Sequence, residues 1–104
     1  MKTLTSKQRA HLRRLAHGIK PVVRIGNEGV TRAVLRSIVE AFNTRELVKV
    51  KLLESAPTDA GGAADEIASG SEGVHPVQTI GRTAVLYRRH PDDPVIRLPP
   101  GGAG

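Results

Sequence analysis

Apolar residues recur along this chain at two spacings, and the alternation between them outlines the fold. Val34, Leu35, Ile38, Val39 and Phe42 repeat at i, i+1, i+4, i+5 and i+8. That is one stripe of an amphipathic helix, with Arg32, Arg36, Glu40 and Asn43 on the other face and Thr31 as its N-cap. An earlier helix opens at Thr5, where Gln8 three residues later completes a capping box. It buries Leu12, Leu15 and Ala16, turns Lys7, Arg9, Arg13 and Arg14 outward, and is expected to stop at a left-handed Gly18. Leu47-Val48-Lys49-Val50-Lys51-Leu52 alternates strictly, the period of a strand with Val48, Val50 and Leu52 on one face and the two lysines on a partly exposed one.

The remaining elements are shorter. Lys20–Ile25 reads as a strand entered through Pro21 and ended by Gly26. Asp59 is placed to cap a third helix with a thin stripe of Ala60, Ala63, Ala64 and Ile67. Gly61 and Gly62 weaken that helix by about 1 kcal/mol each relative to alanine, so packing must hold it. Val77–Ile80 and Ala84–Tyr87 flank Gly81-Arg82-Thr83 as a hairpin. Val95-Ile96-Arg97-Leu98, set between prolines, is expected to dock on the sheet edge, and residues 99–104 to form a disordered tail. The order α-β-α-β-α-β-β predicts one compact α/β domain over residues 1–98, a mixed four-stranded sheet packed with three helices. Its strand–helix–strand connections should make parallel pairs and its last hairpin an antiparallel one.

Composition narrows the chemistry. The 104 residues include no cysteine and no tryptophan, which excludes disulfides, thiolate nucleophiles and Cys-ligated metal sites. No apolar run reaches the length of a membrane span and no secretory signal is evident, so a cytoplasmic address is expected. The net charge of +6 is unevenly spread. Residues 1–51 hold 12 Lys and Arg against 3 acids, residues 52–81 hold 5 acids and no base, and residues 82–104 hold 4 Arg and 2 Asp. The N-terminal half therefore favours a polyanion, while one Tyr and one Phe leave little for base stacking.

Gly26-Asn27-Glu28-Gly29 is the sharpest local motif, a glycine-flanked turn between a strand and the helix that starts after Thr31. Such a turn lets a phosphate approach backbone amides, and the helix N-terminus adds its positive end. Arg32 and Arg36 lie in the first turns of that helix, where the dipole disfavours cations, an arrangement that suits arriving phosphates. Glu28 opposes it. Lys7, Arg13, Arg14 and Lys20 would extend the footprint. With about five contacts, log K against log salt should have a slope of about −3.5 to −4.5. The four histidines lack ligand spacing, and no nucleophile elbow, P-loop or HExxH pattern is present, so neither metal, cofactor nor catalysis is expected.

Several blocks carry a resemblance to a known family: Leu4-Thr5-Ser6-Lys7-Gln8-Arg9, Ala16-His17-Gly18-Ile19-Lys20-Pro21-Val22-Val23, Ile25-Gly26-Asn27-Glu28-Gly29-Val30-Thr31, Glu46-Leu47-Val48-Lys49-Val50-Lys51 and Gly81-Arg82-Thr83-Ala84-Val85-Leu86-Tyr87-Arg88. Together they resemble the CRM domain (chloroplast RNA splicing and ribosome maturation) in its stand-alone bacterial, YhbY-like form. The resemblance implies a fold similar to the C-terminal domain of translation initiation factor three. It also implies RNA binding through the glycine loop and nearby basic surface, with Lys20 and Arg82 in matching blocks, and a role with ribosomal RNA in large-subunit precursors. His17 matches too and reads as structural. A monomer is expected. The alternative is a factor that docks on acidic ribosomal or regulatory proteins without touching RNA.

Overall fold

A computed structural model describes residues 4–100 of the chain. The elements are α1 (Ser6–Ala16), β1 (Val23–Ile25), α2 (Arg32–Phe42), β2 (Leu47–Leu52), α3 (Ala60–Gly70), β3 (His75–Ile80) and β4 (Thr83–Tyr87). They form a four-stranded sheet of order β1-β2-β4-β3 with helices on both faces. No helix among the described residues is long and apolar enough to cross a membrane.

The capping box is present at the start of α1. The Gln8 amide donates to Thr5 Oγ1 at 3.1 Å and the Thr5 amide to Gln8 Oε1 at 3.0 Å. The far end of α1 differs from the expectation. His17 caps it in a right-handed conformation, and the Ile19 amide donates back to the Ala16 carbonyl at 3.1 Å. Gly18 has no positive φ. The last turn is closed by tight backbone bonds instead of a left-handed glycine.

β1 is shorter than predicted because Pro21 brings no amide to the ladder. Pairing is under way just after it, with the Val22 amide donating to the Lys49 carbonyl at 3.0 Å. β1 and β2 pair in parallel across the α2 crossover, Val23 opposite Val50 and Arg24 opposite Lys51. The second crossover does not give an adjacent pair. β4 folds back from the hairpin and inserts between β2 and β3, so α3 spans one intervening strand. The hairpin turn is Gly81-Arg82 alone, with Gly81 at φ +55, and Thr83 already pairs with Ile80.

The sheet buries a core on each face. On one, Val48, Val50, Leu52, Ala84 and Leu86 meet Ile38 and Phe42 of α2 and Ala60, Ala63, Ala64 and Ile67 of α3. The weak third helix is thus held by packing, and its small residues allow close approach. A Cβ at Gly70 would lie 3.1 Å from Leu35 Cδ1. On the opposite face, Leu47, Val77, Val85 and Tyr87 meet Leu12 and Ala16 of α1, with Leu4. Leu15, expected in the core, is exposed.

Ile96 and Leu98 pack on this second core beside α1, so the C-terminal segment straps a sheet face and not the sheet edge. Its anchor is Glu46, only 5% exposed. One carboxylate oxygen accepts the Val95 and Ile96 amides at 2.8 and 2.7 Å, and the other accepts the His90 amide at 2.8 Å. Burial alone would raise this carboxyl. The three amides and the neighbouring His90 outweigh it and hold the pKa below the ordinary carboxylate value. At the end of the strap the Pro99 carbonyl accepts from Gln8 Nε2 at 3.1 Å. Residues 101–104 of the expected tail lie outside the described residues.

Candidate nucleic-acid interface

Hydrogen bonding gathers three loops at one end of the sheet. Ile25 and Leu52 close β1 and β2 side by side. Beyond them, the Leu53 amide donates to the Ile25 carbonyl at 2.9 Å and the Leu52 amide to the Arg82 carbonyl at 2.7 Å. The Gly26–Gly29 turn, the start of the β2–α3 connection and the hairpin turn are therefore neighbours. Arg82 is exposed and its Nη1 donates to the Leu53 carbonyl at 3.3 Å, which holds its stem on this end.

Within the turn the two glycines do different work. The Gly29 amide donates to the Gly26 carbonyl at 3.0 Å, closing a four-residue turn, so this amide is not available to a phosphate. Gly29 is buried at φ +72, a conformation that favours glycine. Gly26 has no positive φ, and a Cβ there would meet only Leu53 Cδ1 at an ordinary 3.8 Å. Asn27 and Glu28 project from the tip and are exposed.

Thr31 caps α2 by accepting the Val34 amide at 3.1 Å. The amides of Arg32 and Ala33, in the first turn, have no intrahelical acceptor by helix geometry and point toward the same end as the loop. Arg32 and Arg36 are exposed, one turn apart. The loop, the α2 start and Arg82 thus gather cations and a helix N-terminus at one end, from which Glu28 protrudes and where Glu54 and Asp59 flank Arg82.

The other predicted cations lie elsewhere. Lys20 is exposed at the opposite end of β1 from the loop, before Pro21. Lys7, Arg13 and Arg14 are exposed on α1, across the sheet from α2. Arg9, expected beside them, is half-buried against β3, in a depression it shares with Gln78 and Thr79. Its charge, after burial, holds the His75 imidazole below the ordinary histidine range. Of the acids of residues 52–81, Glu54 and Asp59 line a hollow with Gly81 and Arg82, Asp65 lines the depression that holds Arg9, and Glu66 and Glu72 lie on α3 and just after it.

Three basic residues on the strands lie outside the set that motif and charge marked. Arg24 and Lys51 are exposed and Lys49 half-buried, all on the sheet face that α1 partly covers. The alternation of Leu47–Leu52 was the signal for the two lysines. Nothing in the sequence marked Glu46 as an anchor. At the far end of the sheet a hollow of about 480 Å³ is lined by Leu15, Ile19, Leu47, Val95 and Ile96 together with Glu46, whose carboxylate is committed to the strap. Among the described residues no three His, Asp or Glu side chains converge as metal ligands.

Proteins similar to this chain carry RNA-binding names. The chain is 38% identical over 96 residues to the Bacillus subtilis protein named "Probable RNA-binding protein YqeI", covering 92% of this chain and 99% of that one. It is 38% identical over 99 residues to a Haemophilus influenzae protein named "RNA-binding protein", covering 95% and 98%. Among solved structures it matches the solution structure of a Staphylococcus aureus protein described as a candidate RNA-binding protein. That match has a TM-score of 0.79 and 34% identity, and covers 93% of this chain and all of that one. The model of the CRS1/YhbY (CRM) domain matches residues 4–88, nearly the whole folded unit with its glycine turn, and the chain belongs to that family.

Proposed function

We propose that the protein is a non-catalytic RNA-binding module that acts as a cytoplasmic monomer on structured ribosomal RNA in precursors of the large subunit. Relatives named as RNA-binding proteins support the partner class. The observation that carries the reading is the shared end of the sheet. A glycine-closed turn, a helix N-terminus and three exposed arginines (Arg32, Arg36 and Arg82) meet there, and among the described residues no Phe, Tyr or Trp is exposed to stack on bases. Phosphates are held by the α2 start and these arginines, so affinity depends on backbone geometry more than on base identity.

The test is sedimentation of a lysate containing the tagged protein, with and without RNase, followed by sequencing of the co-migrating RNA. Co-migration with large-subunit precursors that RNase abolishes is the expected result. An RNase-resistant complex with a single acidic protein would overturn the reading in favour of a protein-docking factor.

A further inference from the structure

Register places four side chains in one row across the sheet. Arg24 of β1 lies opposite Lys51 of β2, Lys51 opposite Thr83 of β4, and Thr83 opposite Ile80 of β3. Directly paired residues point to the same face, so the row faces the side on which α1 packs. α1 covers only part of that face. Its buried partners are Leu47, Val77, Val85 and Tyr87, while Arg24, Lys51 and Ile80 are exposed and Ile80 is 59% accessible. Lys49, two residues before Lys51, lies on the same face about 7 Å away.

The open part of the sheet is therefore a shelf. Its floor carries Arg24, Lys49 and Lys51. Its wall is the flank of α1 that bears Arg9 and Arg13, the flank turned away from the strap, which holds the Gln8 side. Its rim is the end of the sheet where the Gly26–Gly29 turn and Arg82 lie. None of the four strands contains an Asp or Glu.

Folding gains nothing from this arrangement. Like charges directly across a strand pair repel, and a threonine or valine would suit the same sites. Lysines often protect a sheet edge from pairing with other chains. That explanation reaches Arg24 on the edge strand β1 but not Lys49 and Lys51, which lie on β2 between two paired strands.

We infer that this shelf is a second RNA site, continuous with the glycine-turn end, that takes the sugar–phosphate backbone of a base-paired RNA segment. The inference rests on the proposed RNA-binding function and names the form of RNA that is bound. Base-paired RNA follows from the lack of stacking surface. The chain's one Phe and one Tyr, Phe42 and Tyr87, are each 3% exposed and it has no Trp, so an unpaired strand on the shelf finds cations but no Phe, Tyr or Trp platform for its bases. A paired segment needs no such platform, because it presents phosphates and hydroxyls outward.

The test compares three forms of the full chain: wild type, Arg24→Gln/Lys49→Gln/Lys51→Gln, and a charge-matched control, Arg45→Gln/Arg89→Gln/Arg97→Gln, at exposed sites off the shelf. Each is titrated with an RNA hairpin of about 20 base pairs in two unrelated sequences and with a single strand of equal length. Circular dichroism confirms that each variant is folded. Arg24→Gln/Lys51→Gln, which leaves half-buried Lys49 in place, serves if the triple shelf variant is not. The expected result is a tenfold or greater loss of hairpin affinity, similar for both sequences, with the salt slope shallower by about two to three in the triple variant and about one to two in the double. The control should lose clearly less. A shelf variant that matches the control or the wild type overturns the shelf and leaves the proposed function standing. Tighter binding of the single strand overturns the assignment to paired RNA. A wild-type chain that binds neither RNA removes the proposed function itself.

Discussion

A Cβ added to Gly29 would lie 3.1 Å from Cγ of Pro57, so the second glycine of the turn is seated against the loop that follows β2. With φ at +72 as well, Gly29 is fixed by both torsion and space. Gly26 is fixed by neither. Gly29→Ala should therefore destabilise the domain by about 1–2 kcal/mol, and Gly26→Ala should cost little. Urea denaturation of both variants checks this, and equal midpoints would contradict it. An aspartate at Gly29, an obvious probe of the loop from the motif alone, would confound folding with binding. Gly26→Asp is the cleaner substitution.

Glu28 is the acid at the tip of the glycine turn and is exposed there, whereas Glu54 and Asp59 lie beside Arg82. Glu28→Lys should tighten RNA binding several-fold at low salt and steepen the salt slope by about one. Stability should be unchanged. Weaker binding by a folded Glu28→Lys would mean that the turn tip does not face phosphate.

Glu46 joins the strap to the sheet through three charge-assisted hydrogen bonds from backbone amides. A glutamine offers one acceptor oxygen where the carboxylate uses both, so Glu46→Gln should cost about 2 kcal/mol. It should also speed hydrogen exchange at Val95 and Ile96. Unchanged exchange at those amides would show that the strap is held by Ile96 and Leu98 alone.

The same carboxylate makes the strap acid-labile. Its pKa is lowered in the folded protein, so its contribution is complete above the ordinary carboxylate pKa. That contribution falls away as pH drops through the lower folded value. His75 acts in the same direction near its own, higher range. Its lowered pKa favours the neutral ring, and stability is lost on acidification. Denaturation midpoints followed from neutral to acid pH should decline in two stages, the later one absent in Glu46→Gln. A profile identical in that variant would contradict the assignment.

Much of this fold was legible because local signals agreed. The capping box at Thr5 and Gln8, the Thr31 and Asp59 caps, the β2 alternation and the α2 stripe, except for the exposed Val39, each have a local cause and appear as predicted. What escaped notice depended on competition between backbone bonds or on distant residues. Whether Gly18 turns left-handed depends on competing backbone bonds, and the insertion of β4 between β2 and β3 depends on where a hairpin finds a free edge. Glu46 is linked to Val95 and Ile96 across about half the chain, and no periodicity announces such a contact.

The candidate site was legible at the glycine turn and α2, where motif and charge coincide. It was not legible on the sheet. A lysine in an alternating strand signals only an outward face until the register shows Arg24 beside it and α1 leaving both uncovered.

In the proposed function RNA is held by its phosphates. The most direct test is the affinity of the wild-type chain for a structured ribosomal RNA fragment, measured over a series of salt concentrations and repeated with a fragment of scrambled sequence but equal pairing. Log K should fall linearly with log salt, with a slope of about −3.5 to −4.5 or steeper where the sheet shelf is also engaged, and the two fragments should differ little. A slope near zero, or binding to one sequence alone, would contradict it.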